Sequence, residues 1–186
     1  MKLLQTVATR KPVSKGASAM YYSKVESPVG RIHLLASEQG LSALYFDAQV
    51  EAMNQLFPPD SHQSGHGNPW LLRAQAFTYC YFAGDLDYAP EIPLDIQGTP
   101  AQLAVWKALE AIPPAQTRSY QQVAAAAGKP RASRAIGAAV GQNPVSLLIP
   151  CHRVIGSNGK LTGYTGGLEV KQFLLEHEKK CVLQAA

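Results

Sequence analysis

The stretch Asp85–Gly98 constrains this 186-residue chain more than any other feature. Pro90 and Pro93 lie inside it, Gly84 precedes it and Pro100 follows. Each proline fixes its own φ and removes a backbone donor, so neither a helix nor a central strand runs through. The chain reads as two pieces, residues 20–97 and 98–186, behind a basic tail over residues 1–19. That tail holds Lys2, Arg10, Lys11 and Lys15 without an acid or an apolar period, and is expected to be disordered. Its Leu3-Leu4 is far too short for a signal-peptide core, which argues against secretion.

In the first piece, Met20–Val25, Arg31–Ala36 and Leu41–Phe46 read as strands. The breakers Ser27-Pro28-Val29-Gly30 and Ser37–Gly40 separate them, giving an antiparallel meander. Phe57–Gly67, with two prolines, two glycines and two histidines, reads as a loop. Asn68-Pro69 supplies an N-cap and a first-turn proline for a helix that runs to about Phe82.

The second piece opens on a capping box, Thr99-Pro100-Ala101-Gln102, with Leu103, Trp106 and Leu109 on one helix side. Ile112-Pro113-Pro114 stops that helix. Ser119-Tyr120-Gln121-Gln122 starts a second, ending near Gly128, and Ser133 is placed to cap a third that runs to about Gln142. Two short helices across a tight turn make a helix-turn-helix. The expected class is α/β (α+β): a small antiparallel-sheet domain with a helix, then a mostly helical domain containing the helix-turn-helix.

Charge separates the pieces too. Residues 21–128 carry five bases against ten acids, whereas eight bases from Lys129 onward face only Glu169, Glu176 and Glu178. A basic C-terminal part fits a polyanion partner, and fits a solvated face equally well. The third helix sharpens this. Ala135, Gly137, Ala138 and Ala139 let another surface approach, and only Arg134, at its start, is charged. A helix that reads base edges would offer several Arg, Asn or Gln side chains. This one would bind DNA without sequence preference, or pack tightly on a neighbouring helix.

No apolar stretch is long enough to span a membrane. Cys80, Cys151 and Cys181 include no CxxC pair and cannot all be paired within one chain, which points to a reducing compartment: the cytoplasm, or wherever DNA is. Cys151 stands in Pro150-Cys151-His152-Arg153-Val154, behind the run Val145-Ser146-Leu147-Leu148-Ile149, which reads as a buried extended segment. A thiol attacks as thiolate, which a nearby base held by a carboxylate favours. Neighbours on a strand point to opposite faces, so Cys151 and His152 cooperate only at a bend or through water. A buried structural cysteine beside a chance histidine fits the dipeptide as well.

The wider pattern resembles the O6-alkylguanine-DNA alkyltransferases. It comprises Tyr81-Phe82-Ala83-Gly84, Thr99-Pro100-x-Gln102 with Val105-Trp106, Ser119-Tyr120, Arg134-Ala135-Ile136-Gly137 and Asn143-Pro144. Pro150–Gly156, Gly163-Tyr164-Thr165-Gly166-Gly167-Leu168 and Leu174-Leu175-Glu176-His177-Glu178 complete it. The resemblance implies single-turnover repair of O6-methylguanine in DNA, with O4-methylthymine as a further substrate. Cys151 would be the alkyl acceptor, His152 would act on it through a water, and Glu178 would orient the imidazole. Glu178 would be fixed by packing of a Val170, Phe173, Leu174 and His177 face. Asn143 would brace the active-site turn, and Tyr120 would donate to the departing guanine.

The resemblance also implies that the carbonyls of Cys151 and Val154 accept from the exocyclic amine and that the Thr165 amide faces O6. Tyr164 and Gly166 would line the pocket, with Val140 as its apolar wall. Arg134 would fill the space left by a flipped nucleotide, while Ser119, Ala135, Gly137 and Ala138 meet the DNA. Lys129, Arg131 and Lys160 would reach phosphates. The partner implied is double-stranded DNA containing O6-alkylguanine, met by a monomer that uses no cofactor and no metal. His62 and His66 are spaced like ligands, but no cysteine precedes Cys80 to support a zinc site. Three positions depart from the family pattern: Ala101, Ala115 where glycine is common, and Ser146 where some relatives carry proline. None of them is expected to touch the chemistry, except that Ser146 bears on tolerance for bulky alkyl groups. Two other readings compete, a non-catalytic lesion sensor and a Cys-His hydrolase oriented by Glu178.

Overall fold

A computed structural model describes residues 19–185 of the protein. The expected basic tail lies outside them apart from Ala19. The described chain forms two compact units, one up to Gln97 and one from Gly98 onward.

In the first unit, β1 (Met20–Ser27), β2 (Gly30–Ala36) and β3 (Leu41–Phe46) form the antiparallel meander. All six residues of β3 are buried, so both sheet faces are covered there, as an uninterrupted apolar strand requires. On one face Leu35, Ala43 and Tyr45 pack with Met53 of α1 (Val50–Leu56), while α2 (Pro69–Ala83) also packs on the sheet. The Asn68 carboxamide oxygen accepts from the Trp70 and Leu71 amides, and Gly84 closes α2 in the left-handed region at φ 97°.

Two segments differ from the sequence expectation. Within the expected loop Phe57–Gly67, a short β4 (His62–Ser64) pairs parallel with β1, giving the order β3-β2-β1-β4. Three polar residues offer no alternation to read, and only the β1 edge makes them a strand. The connection Asp85–Gly98 is also partly tied down, because Leu41 exchanges backbone hydrogen bonds with Pro93 and Asp95.

The second unit is built from α3 (Pro100–Glu110), α4 (Tyr120–Ala126), α5 (Ser133–Gly141) and α6 (Leu168–Ala185). Both expected capping boxes form, at Thr99/Gln102 and Ser119/Gln122. The cap of α5 is Ala132 rather than Ser133, which is the first helical residue. The buried face of α3 holds Val105, Trp106 and Leu109, with Leu103 half-buried, and the Trp106 indole donates to the Ala139 carbonyl at 2.9 Å. Parallel pairing of β5 (Arg118–Ser119) with β6 (Val154–Ile155) sets the start of α4 beside the chain that leaves Cys151.

Candidate active site

Cys151 is not on a strand. Val145–Ile149 is buried but folds as turns, with Leu147 at φ 67°, and Cys151–Arg153 form one turn of 3-10 helix. Four apolar residues and a serine register burial but not conformation. The buried Asn143 carboxamide spans this turn, donating to the Ile149 carbonyl at 2.7 Å and accepting from the Val145 amide at 3.0 Å. The bend removes the strand objection to cooperation between Cys151 and His152.

His152 is fully buried, and its Nε2 lies 2.7 Å from Glu178 Oε1. Arg153 binds the same carboxylate, Nη2 at 2.8 Å from Oε1 and Nε at 3.1 Å from both oxygens, and its Nη1 donates to the Ile112 carbonyl. The Ala115 amide donates to Glu178 Oε2 at 2.9 Å. Burial alone would raise the Glu178 pKa, but these bonds outweigh it and hold the carboxyl well below the usual range. A carboxylate accepts only, so the imidazole keeps its proton on Nε2 and its lone pair on Nδ1. Burial pushes the His152 pKa down against the pull of Glu178, favouring the neutral ring. Nδ1 is buried with no hydrogen-bond partner, and is the position from which the ring can accept a proton.

The Cys151 thiol is 3% exposed, and burial pushes its pKa up. Asn143, Tyr164 and Ser146 side chains, together with Lys171, oppose that rise. The Tyr164 hydroxyl lies 4.0 Å from Sγ. Ser146 is therefore within reach of the thiol. Of the other expected pocket residues, Val140, Val154 and Gly166 are buried, Tyr164 is half-buried and Thr165 is exposed.

The face of α6 that carries Glu178 differs from the expected one. Lys171, Leu174, Leu175 and Glu178 are buried, whereas Phe173 is exposed and Val170 and His177 are half-buried. The buried stripe is rotated by one residue from the apolar one, because Lys171 and Glu178 are held inside by partners, the Thr162 carbonyl for one and His152 with Arg153 for the other. Lys171, Arg153 and the Ala115 amide are the site groups that the sequence reading misses. Ala115 does touch the site, contrary to expectation, and it does so from a left-handed backbone at φ 59°, where glycine is the easier residue.

A second cluster lies along α4 and α5. Tyr120, Gln121, Arg134, Gly137, Gly156 and Ser157 line an open cleft together with Pro130. Arg134, Ala135 and Ala138 are exposed, while Ile136, Ala139 and Val140 face the core. A Cβ added to Gly137 would meet only the Tyr120 ring, at 3.9 Å, an ordinary contact. Packing inside the chain therefore does not call for glycine here. The Tyr120 hydroxyl donates to the Thr162 carbonyl at 3.4 Å. Among the described residues no three His, Cys, Asp or Glu side chains gather as metal ligands.

Family profiles match both units. One described as the DNA binding domain of 6-O-methylguanine DNA methyltransferase spans residues 100–180, and one described as its ribonuclease-like domain spans residues 20–96. The chain belongs to the 6-O-methylguanine DNA methyltransferase family. It is 42% identical over 162 residues to the methylated-DNA–protein-cysteine methyltransferase of Methanosarcina acetivorans, covering 87% of this chain and 100% of that one. It is 41% identical over 161 residues to the protein of the same name from Shigella flexneri, with 83% and 93% covered. Among solved structures, Mycobacterium tuberculosis OGT in complex with DNA superposes with a TM-score of 0.73 at 38% identity, over 87% of this chain and 94% of that one. Within this methyltransferase family, the Cys151 turn and the α4–α5 cleft both fall inside the DNA binding domain. No helix among the described residues is long and apolar enough to cross a membrane.

Proposed function

We propose that this protein is a methylated-DNA–protein-cysteine methyltransferase that repairs O6-methylguanine by moving the alkyl group to Cys151, once per molecule. The observation that carries the reading is a buried turn in which Cys151 is followed by His152, whose ring is bonded to a Glu178 locked by Arg153. The thiol proton leaves toward His152 Nδ1 through a bridging water, and the sulfur attacks the alkyl carbon in line. The S–C bond forms as the C–O6 bond breaks, the C–O electron pair leaves with guanine, and guanine takes up one proton in place of the one that the thiol gave to His152. Tyr120 trades its contact with the Thr162 carbonyl for the departing base. The product is a thioether, which mild hydrolysis does not reverse, so the protein is consumed.

A stacked guanine hides O6, so the nucleotide leaves the duplex at a cost of about a few kcal/mol. Arg134 fills its place, and the Ala135, Gly137 and Ala138 face lies in the minor groove, where sequence readout is degenerate. Ser119 and the α4 start flank the same cleft. The substrate is duplex DNA, bound by a monomer, and O4-methylthymine is accepted by the same chemistry. The experiment is a titration of lesion-containing duplex with increasing protein. One lesion removed per protein supports this reading. Many lesions per protein point to a hydrolase, and binding without removal points to a lesion sensor.

A further inference from the structure

Lys171 is a fully buried ammonium on α6, and among the described residues it pairs with no acid. Its Nζ donates to the Thr162 carbonyl at 3.0 Å and lies 5.8 Å above the Tyr164 ring. None of the ion pairs among the described residues includes it. A buried cation without a counter-charge is costly, and this one would be expected to be apolar or paired. Tyr164 connects the two centres: Lys171 sits over its ring, and its hydroxyl lies 4.0 Å from Cys151 Sγ.

We propose that Lys171 is the counter-ion of the Cys151 thiolate, a positioning residue that supplies the positive charge the sulfur needs while it tethers the Thr162–Tyr164 loop. This rests on Cys151 being the reacting thiol. Burial lowers the Lys171 pKa, and the only charge that pulls it back up is Cys151; reciprocally, Lys171 opposes the burial that raises the thiol. Each of the two charges favours the other, so their titrations are coupled and the midpoints belong to the pair. Tyr164 of the loop and His152 of the 3-10 turn also face the pair, and His152 in turn is held by Glu178, two turns along α6, and lies beside Arg153. Lys171 also opposes protonation of His152, which keeps the imidazole free to act as base.

The test is the pH profile of Cys151 alkylation by iodoacetamide, read on the Cys151 peptide so that Cys80 and Cys181 do not contribute. In Lys171→Met the midpoint moves up by about one unit and the rate at neutral pH falls about tenfold, while Lys171→Arg retains the profile. Loss of the Thr162 tether alone would slow reaction without moving the midpoint. An unmoved midpoint in a folded Lys171→Met protein overturns the proposal. Should that variant not fold, linkage supplies the reverse measurement on the native lysine. The Lys171 ammonium, followed by lysine-selective NMR, titrates at lower pH in Cys151→Ala than in the unsubstituted protein, and an unchanged titration overturns the proposal. If the midpoint moves but methyl from the lesion arrives elsewhere, the counter-ion role stands and the acceptor reading alone fails.

Discussion

His152 Nε2 lies 2.7 Å from Glu178 Oε1, and that single contact fixes which ring nitrogen is free to take a proton. The carboxylate holds the Nε2 proton, so the buried Nδ1 keeps its lone pair. Removing the charge while keeping the shape should therefore cost chemistry more than fold. In Glu178→Gln the amide presents an oxygen or an NH2 to the ring and no longer specifies the tautomer. Methyl transfer from lesion DNA should fall on the order of a hundredfold or more, while lesion binding stays within about twofold. Rapid-quench transfer and equilibrium binding measured side by side check this, and equal losses in both would point to a purely structural carboxylate.

Arg153 is the residue that makes a buried Glu178 tolerable. Deleting one partner of such a pair leaves an uncompensated buried charge, a loss of about 3–5 kcal/mol. Arg153→Met should lower denaturant stability by that amount and should raise the Glu178 pKa. Unchanged stability would mean the guanidinium is solvated rather than paired.

Acid should destabilise the protein in two stages. The His152 pKa is depressed in the folded state, so below about pH 6.5 the unfolded chain takes up a proton that the native ring refuses. The Glu178 pKa is depressed as well, so a second loss begins below about pH 4.5, where the unfolded carboxyl binds a proton and the native one does not. At the other end, Cys151 is raised above 9.0, so stability falls as pH climbs past that value. Denaturant midpoints across pH should show these three limbs, and Cys151→Ala should shrink the alkaline one, leaving the part that the raised Tyr22 and Tyr45 hydroxyls contribute above pH 10.0.

Much of this architecture is legible in the sequence because its signals are local. Asn68, Thr99 and Ser119 each cap a helix through the side chain that the pattern requires. The site is legible where residues adjoin the cysteine and where Glu178 sits. The face that carries Glu178 is not, since an apolar period cannot count Lys171 and Glu178 as core. Buried charges announce themselves only through their partners, and those partners lie far apart in the chain: Arg153 is 25 residues from Glu178. The β4 strand escapes for a related reason, because its pairing edge and not its composition defines it.

Ala115 holds a left-handed backbone to bring its amide to Glu178. Ala115→Gly removes that strain and should stabilise the folded state by up to about 1 kcal/mol, less the added flexibility of glycine in the unfolded chain. Thermal melting checks the sign, and a clear loss of stability would show that the methyl packs usefully.

A substitution at Gly137 tests folding and the proposed DNA contact separately. Gly137→Ala has room inside the chain and should raise helix stability by roughly 1 kcal/mol, yet it should weaken binding to duplex DNA. Arg134→Ala should slow repair of duplex on the order of tenfold and leave reaction with the free modified base nearly unchanged. Parallel loss on both substrates would remove Arg134 from its role in nucleotide flipping.

The most direct test is the mass of the protein after incubation with duplex DNA containing one O6-methylguanine. A gain of about 14 Da, confined to the peptide holding Cys151 and saturating at one per molecule, is the predicted result. An unchanged mass on that peptide, with the lesion removed from the DNA, would contradict transfer to Cys151.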